Sequence, residues 1–213
     1  MTRGADSPPF LWHTLAMTDT PILILAAGQS RRMRGTDKLA ELVRGEPLLT
    51  RVARTALAAS SRVFVALPAA DHPRAGLLSG LAVTSLAVPQ ATEGQAATLR
   101  MGVAALPDCP RFMVLLADLP DLTAGDLTAV LTAPLTAPDA LIWRGATDDG
   151  KPGHPILFAA SLRPRFATLS GDSGGQEVTV PLSAQTHLVR LPGNRARHDL
   201  DTPEDWAAYR SGQ

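Results

Sequence analysis

The sequence has little cysteine, no excess of charge of either sign and no long apolar run. Its 213 residues include one cysteine, Cys109, so no disulfide can form within the chain, and no Cys/His cluster has zinc spacing. No apolar run approaches the roughly 20 residues of a membrane span. The 20 basic and 20 acidic residues balance, which removes the electrostatic case for general nucleic-acid or membrane binding. We therefore expect neither partner, and a reducing, cytoplasmic location.

The length favours one domain, which we place at residues 20–210. A chain of this size buries on the order of 70% of its unfolded surface, enough for a core without disulfides. Residues 1–19 have no periodic pattern, include Pro8 and Pro9, and lack the basic segment and apolar core of a signal peptide. They are predicted to be a flexible N-terminal extension.

Short aliphatic runs alternate with helical patterns along the domain. The predicted strands are 22–26, 63–67, 83–88, 112–117, 140–143, 155–158 and 188–191. The predicted helices begin after Pro47, cover 95–106 and 126–131, and begin again at Pro203. Strands that alternate with helices indicate a mostly parallel sheet covered on both faces. The predicted fold class is α/β with three layers.

The first predicted strand leads into a loop that contains glycine and several cations. The apolar run stops at Gly28, which lacks a Cβ and lets the chain bend sharply and approach a ligand. A hydroxyl and three cations follow: Ser30, Arg31, Arg32 and Lys38. The spacing of Gly28 and Gly35 fits neither a Walker A loop nor a dinucleotide fingerprint. We predict a polyphosphate site, the alternative being a surface turn with solvated arginines.

Asp118 follows the apolar run 112–117 directly. A carboxylate at the end of a buried strand is costly unless a cation or hydrogen bonds compensate it. In an open parallel sheet, ligands bind at the carboxyl ends of strands where the strand order reverses. Mg²⁺ accepts one or two protein carboxylates together with phosphate oxygens. We therefore predict that Asp118 binds Mg²⁺, the alternative being a cap of the turn before Thr123.

The first loop resembles the signature of the MobA-like nucleotidyltransferases, which is close to L-A-A-G-x-S-x-R-M-G with a lysine a few residues on. The matching residues are Leu25, Ala26, Ala27, Gly28, Ser30, Arg32, Met33 and Lys38. Arg34 stands where the family usually has glycine, and Gly35 follows it. Asp118-Leu-Pro120 is similar to the Asp-Met-Pro of the family, in which the aspartate is the magnesium ligand.

Three later blocks resemble the branch that makes molybdopterin cytosine dinucleotide. Segment 150–155, Gly-Lys-Pro-Gly-His-Pro, is similar to its P-G-H-P, and segment 198–205, His-Asp-Leu-Asp-Thr-Pro-Glu-Asp, to its D-I-D-T-P-E-D. Segment 171–176 resembles its G-D-x-G-A-R, with Gln176 in place of the arginine. Together with the first loop and Asp118, these blocks span residues 22–205.

The resemblance implies a magnesium-dependent nucleotidyltransferase with a Rossmann-like nucleotide-binding half, of the nucleotide-diphospho-sugar transferase type. The reaction implied is transfer of CMP from CTP to molybdopterin with release of pyrophosphate, and a molybdenum hydroxylase could receive the product. The catalytic residues implied are Arg32, Lys38 and Asp118. The nucleotide-binding residues implied are Ala26, Ala27, Gly28, Ser30, Arg32, Lys38, Gln95 and Thr98. The magnesium ligands implied are Asp118 and Asp201.

The acceptor is expected near Gly153 and His154. Gly153 would let the backbone approach a flat ligand, and His154 could bond to a phosphate or a pterin edge, unless it is an ordinary turn histidine. Asp199 and Asp201 alternate along an extended stretch, from which we expect only one, Asp201, to face the site. Ala27, where the guanylyl-transferring branch carries glycine, favours CTP over GTP.

Three alternatives stay open. The chain could be a guanylyltransferase, or it could act on another phosphate acceptor. It could bind a molybdenum cofactor as a non-catalytic chaperone. Gly-Asp-Ser-Gly-Gly at 171–175 also matches the nucleophile segment of trypsin-like proteases, with Ser173, His72 and Asp118 as the triad. Those proteases are all-β and commonly disulfide-bonded, which the predicted helices and the single cysteine contradict.

Overall fold

The computed structural model describes residues 18–171 and 174–212. Residues 1–17 of the predicted N-terminal extension therefore lie outside the described residues. Its last two residues are attached to the fold: Thr18 forms a parallel bridge with Ser60, and the Asp19 carboxylate accepts a hydrogen bond from Ser61 Oγ at 2.7 Å.

The helices and strands follow the predicted order. The strands are β1 (Ile22–Leu25), β2 (Leu42–Val43), β3 (Glu46–Pro47), β4 (Val63–Leu67), β5 (Val83–Ala87), β6 (Arg111–Leu116), β7 (Ile142–Ala146), β8 (Pro152–Ala159) and β9 (Thr186–Arg190). The α-helices are α1 (Leu48–Ala59), α2 (Gln95–Ala105), α3 (Ala124–Thr132), α4 (Arg163–Ala167), α5 (Gln176–Thr179) and α6 (Pro203–Ser211). Every predicted strand and helix is present. In the described part of the chain, no helix is both long enough and apolar enough to cross a membrane.

Seven strands form the central sheet in the order β5-β4-β1-β6-β8-β7-β9. Strand β1 is parallel to β4 and β6, β4 is parallel to β5, and β7 is parallel to β9. Strand β8 is antiparallel to both of its neighbours. The prediction of a mostly parallel sheet is thus confirmed, and β2 and β3 form a separate hairpin.

Two apolar cores lie on opposite faces of this sheet. Along β1, Ile22 and Ile24 belong to the core under α1, α3 and α6, whereas Leu23 belongs to the core under α2, α4 and α5. All three side chains are fully buried. Each contributes roughly 1.5–3 kcal/mol by leaving water. The helices therefore cover both faces, and the three-layer α/β fold is confirmed.

Two helices near the site begin with capping boxes. At α3, Thr123 Oγ1 accepts from Asp126 N while the Asp126 carboxylate accepts from Thr123 N. At α6, Thr202 and Asp205 make the same exchange. Both exchanges satisfy amide groups that have no partner inside the helix. The alternative that Asp118 caps the turn before Thr123 is wrong, since Asp126 fills that role.

The strand order reverses between β1 and β6. From β1 the chain moves outward to β4 and β5, and it then returns to place β6 on the other side of β1. In open α/β sheets such a reversal leaves a crevice at the carboxyl ends of the two strands. The loop after β1 and the residues after β6 meet there.

Candidate active site

A cavity of about 450 Å³ opens at the carboxyl ends of β1 and β6. The predicted residues that line it are Ala27, Gly28, Ser30, Arg32, Lys38, Gln95, Thr98, Asp118 and Asp201. Ala26 lies behind the cavity wall, and its carbonyl oxygen accepts from Arg74 Nη1 at 2.5 Å. The fold thus brings the first loop, the start of α2, the end of β6 and the segment before α6 to one place.

The Lys38 ammonium lies between two carboxylates. Its Nζ donates to Asp118 Oδ2 at 2.5 Å and to Asp201 Oδ1 at 2.7 Å. Burial lowers the pKa of Lys38, but the two carboxylates outweigh that effect and hold the pKa above its ordinary value. Arg32 Nη1 lies 2.6 Å from Asp201 Oδ2. The three residues predicted to be catalytic therefore form one cluster with Asp201.

Asp199 also lines the cavity, beside Asp201. Partial burial and the carboxylates of Asp118 and Asp201 raise the pKa of Asp199 above its ordinary value. For Asp201, burial raises the pKa, but Lys38 and Arg32 outweigh it and lower the pKa below the ordinary value. The prediction that only one of the two aspartates faces the site is wrong, because residues i and i+2 of an extended segment point to the same side.

The donor set fits a hard divalent cation. Asp118 Oδ1 is buried and has no hydrogen-bond partner among the described residues, and such an orphaned oxygen calls for a ligand or a water. Three carboxylates, Asp118, Asp199 and Asp201, face two cations, Arg32 and Lys38. Within the described part of the chain no preformed group of three metal-binding side chains is found. The site therefore suits a cation that draws part of its coordination from substrate oxygens, as Mg²⁺ does.

Arg74 supports the first loop from inside the protein, and sequence reasoning does not find it. Its side chain is 3% exposed. Nη1 donates to the carbonyl oxygens of Ala26 at 2.5 Å and Gly28 at 2.8 Å, and Nη2 donates to Ser30 Oγ at 3.2 Å. Nε and Nη2 each donate to the Asp37 carboxylate at 2.7 Å. Burial raises the pKa of Asp37, but Arg74 outweighs it and lowers the pKa below its ordinary value.

The loop backbone is left-handed where the chain departs from the family signature. Arg34 has φ 52°, a left-handed conformation that glycine adopts without strain, and Gly35 has φ 103°. The arginine therefore takes the conformation expected of the glycine, and its guanidinium donates to Glu204 Oε1 at 2.8 Å. Gly28 has no atom within 4 Å of the place a Cβ would take. That open space leaves room for a ligand beside the backbone.

The predicted acceptor residues do not line the cavity. Gly153 lies inside β8, and a Cβ there would come within 2.0 Å of the carbonyl oxygen of Ala196. The expectation that a ligand approaches Gly153 is therefore wrong, because the chain itself fills that space. His154 also lies in the strand rather than in a turn, and its Nδ1 is 3.4 Å from the Val114 carbonyl oxygen. Burial, with a contribution from Arg144, lowers the pKa of His154 to about 4, so its imidazole is neutral at pH 7.

The protease alternative fails on this fold. Asp118 binds Lys38, and His72 Nδ1 accepts from the backbone amide of Arg74 at 3.2 Å. The α/β architecture differs from the all-β fold of trypsin-like enzymes. Asp172 and Ser173 lie outside the described residues.

A glycine-containing loop with cations and a cluster of carboxylates, placed where the strand order reverses, are typical of a nucleotide-binding α/β enzyme. The chain matches the MobA-like NTP transferase domain over residues 22–187 and belongs to that family. It is a nucleotidyltransferase, as the resemblance of the first loop predicted.

Individual relatives match most of the chain. The chain is 39% identical over 200 residues to a protein of Synechococcus elongatus named "probable molybdenum cofactor guanylyltransferase", and the match covers 87% of this chain and 95% of that one. Rv0371c of Mycobacterium tuberculosis, in a crystal structure of its complex with manganese, has a TM-score of 0.74 at 22% identity, and the match covers 92% of this chain and 100% of that one. The 2-C-methyl-D-erythritol 4-phosphate cytidylyltransferase of Thermus thermophilus has a TM-score of 0.64 at 20% identity, with 92% and 98% covered. At these identities the two structures support the fold.

Proposed function

We propose that the protein transfers a nucleotidyl group from a nucleoside triphosphate to the phosphate of molybdopterin and releases pyrophosphate. The observation that carries this proposal is the cluster of Arg32, Lys38, Asp118 and Asp201, which lies in the cavity beside the first loop. The two cations suit the oxygens of a triphosphate, and the two carboxylates suit the metal ion that accompanies it. The name of the Synechococcus relative, at 39% identity over nearly its whole length, supports a molybdenum cofactor as the acceptor.

The reaction needs no covalent enzyme intermediate. An oxygen of the acceptor phosphate attacks the α-phosphorus in line, a new P–O bond forms, and the bond between the α-phosphorus and the bridging oxygen breaks, with its electron pair leaving on pyrophosphate. The protein supplies alignment and charge stabilisation. Arg32 and Lys38 neutralise the charge that develops on the leaving pyrophosphate. The open space beside the Gly28 backbone leaves room for the phosphates.

Asp118 and Asp201 would hold Mg²⁺. When bound, the ion neutralises triphosphate charge and polarises the reacting phosphoryl group. Lys38 holds these two carboxylates close together in the nucleotide-free protein. Phosphate oxygens of the nucleotide would complete the coordination that the described side chains leave incomplete.

For the nucleotide we propose GTP, because the curated relatives carry the name guanylyltransferase. CTP is the second candidate and rests on Ala27. That residue is 1% exposed and lines the cavity. Its methyl group narrows the space beside the base relative to glycine, which disfavours a purine.

Pyrophosphate release with each of the four nucleotides, with and without molybdopterin and Mg²⁺, tests the proposal. We expect release that requires both molybdopterin and the metal, with a higher kcat/KM for GTP than for CTP. A preference for CTP that Ala27→Gly reverses would select the second candidate. Tight molybdopterin binding without release from any nucleotide would instead indicate a non-catalytic carrier.

A further inference from the structure

Two arginines without a carboxylate partner bind the backbone at the start of β8. Arg144 is on β7, and its Nε donates to the carbonyl oxygen of Gly153 at 2.8 Å. Arg197 precedes the acidic segment before α6, and its Nη1 donates to the carbonyl oxygen of Pro152, also at 2.8 Å. Among the described residues, neither guanidinium forms an ion pair. The two side chains are thus anchored on consecutive carbonyl groups at the start of β8.

Most of their hydrogen-bonding capacity is available to a ligand. A guanidinium carries five N–H donors, and within the described part of the chain each of these two is anchored through one hydrogen bond to the backbone. The groups are also close enough to repel: burial and the charge of Arg197 both lower the pKa of Arg144. The neighbouring His154 is neutral and offers no counter-charge. Two like charges held together in this way favour an anion between them.

The pair lies close to the proposed reaction centre. Strand β8 is antiparallel to β6, with Val114 opposite Ile156, so the start of β8 lies beside the end of β6 that leads to Asp118. Neighbouring strands are about 4.8 Å apart. The segment of Arg197 continues to Leu200, whose amide donates to the carbonyl oxygen of Asp118 at 3.2 Å. The segment that carries Arg197 is therefore hydrogen-bonded to the backbone of Asp118 three residues further on.

Arg144 also points to the face on which the cavity lies. It shares a side of β7 with Ile142, which belongs to the same apolar core as Ala27 of the cavity wall. The nucleotide phosphates already have Arg32 and Lys38. A second cationic pair, anchored on the start of β8 beside the end of β6, suits the other substrate.

We propose that Arg144 and Arg197 form an anion subsite for the phosphate monoester of the acceptor. This inference rests on the proposed function, since it assigns the second substrate of the same site. A guanidinium binds a phosphate through two parallel N–H groups, which fixes both position and orientation. The pair would thus hold the attacking phosphate in front of the nucleotide. It takes the role that the sequence assigned to Gly153 and His154.

The first test is direct binding of inorganic phosphate to the full chain. The protein is saturated with a non-hydrolysable GTP analogue and Mg²⁺, so that the nucleotide site is filled, and phosphate is titrated by calorimetry. We expect the double variant Arg144→Gln/Arg197→Gln to bind phosphate at least about tenfold more weakly than the wild type. Arg62→Gln is the control, because Arg62 directly precedes β4 and lies at the amino end of the parallel strands, away from the site. Equal binding by the double variant, or no phosphate binding by the wild type, overturns the subsite.

Arg197→Lys guards against a folding defect, since Arg197 is exposed and lysine keeps the charge. We expect it to fold normally and to weaken phosphate binding, because lysine lacks the paired N–H groups.

The second test is kinetic. Arg197→Lys and the double variant should both raise the KM for molybdopterin, and the double variant should raise it by about tenfold or more. Both variants should leave the KM for the nucleotide within about twofold of the wild type. Turnover with an unchanged KM for molybdopterin overturns the inference. If the wild type does not turn over molybdopterin at all, the proposed function fails, and the phosphate titration alone decides the subsite.

Discussion

The ammonium group of Lys38 holds together two carboxylates that would otherwise repel each other. Its Nζ contacts both Asp118 and Asp201, and the raised pKa of Lys38 keeps it charged throughout the neutral range. Because that pKa is raised, the stabilisation is present below pH 10.5 and is lost only as the pH rises through the still higher value of the folded protein. Loss of the Lys38 charge therefore does not disrupt the cluster in the neutral range.

Asp118 carries the strongest prediction at this scale. Asp118→Asn keeps the size and shape of the side chain but removes the charge that would hold the metal against the triphosphate. We expect the protein to fold and the single-turnover rate of nucleotide cleavage to fall by roughly 10² to 10³ or more. The control is Asp139→Asn, an exposed aspartate before β7. A rate near that of the wild type in Asp118→Asn would place the metal on Asp199 and Asp201 instead.

Asp37 gives a prediction about pH. Its lowered pKa means that the Arg74 ion pair stabilises the fold above pH 3.8 and ceases to do so as the pH falls through the lower value of the folded protein. Asp37→Asn should reduce the free energy of unfolding at pH 7 by about 1–3 kcal/mol. The difference between variant and wild type should shrink as the pH falls below 3.8. Denaturant unfolding at a series of pH values measures both, and a difference that stays constant with pH contradicts the assignment.

Among the elements, helix α6 connects stability to the active site through its first turn. The Asp205 carboxylate accepts from the backbone amide of Thr202 at 2.8 Å and from that of Asp201 at 3.2 Å. Thr202 Oγ1, in return, accepts from the amide of Asp205. The two residues complete one capping box. Only the Asp205 carboxylate, and not the Thr202 hydroxyl, also holds the backbone amide of Asp201.

The two halves of this box can be separated by mutation. We expect Thr202→Ala and Asp205→Ala each to lower the free energy of unfolding by about 1 kcal/mol. Asp205→Ala should in addition reduce kcat several-fold, since it releases the Asp201 backbone, whereas Thr202→Ala should leave kcat close to that of the wild type. Thermal unfolding and steady-state rates on the same preparations test this. Equal kcat values in the two variants would show that the cap does not position Asp201.

The sequence predicts elements where local pattern decides, and it fails where distant contacts decide. The apolar run of β1 and the helix that starts at Pro203 are clear because periodicity and helix-start residues lie within the segment. The proline and glycine around His154 favour a turn, yet pairing with β7 extends β8 back to Pro152. The antiparallel direction of β8 has no local signature.

Over the whole molecule, the site depends on residues that are far apart in the chain. Arg32 and Lys38 can be predicted from one loop, and Asp118 from the end of one strand. The role of Arg74 cannot be predicted in this way, because its guanidinium binds carbonyl groups 46 and 48 positions away in the chain. No local sequence pattern indicates such a contact. The pair of Arg144 and Arg197 escapes prediction for the same reason, since only the sheet brings them to neighbouring carbonyl groups.

The guanidinium of Arg74 also has a consequence for the entropy of nucleotide binding. Fixing one residue of a free loop costs about 1–2 kcal/mol of conformational entropy. Here the folded protein has already restrained Ala26, Gly28 and Ser30 through one buried side chain, so the incoming triphosphate meets a loop that is largely ordered. Binding energy that would have been consumed in ordering the loop remains available to align the α-phosphate for attack.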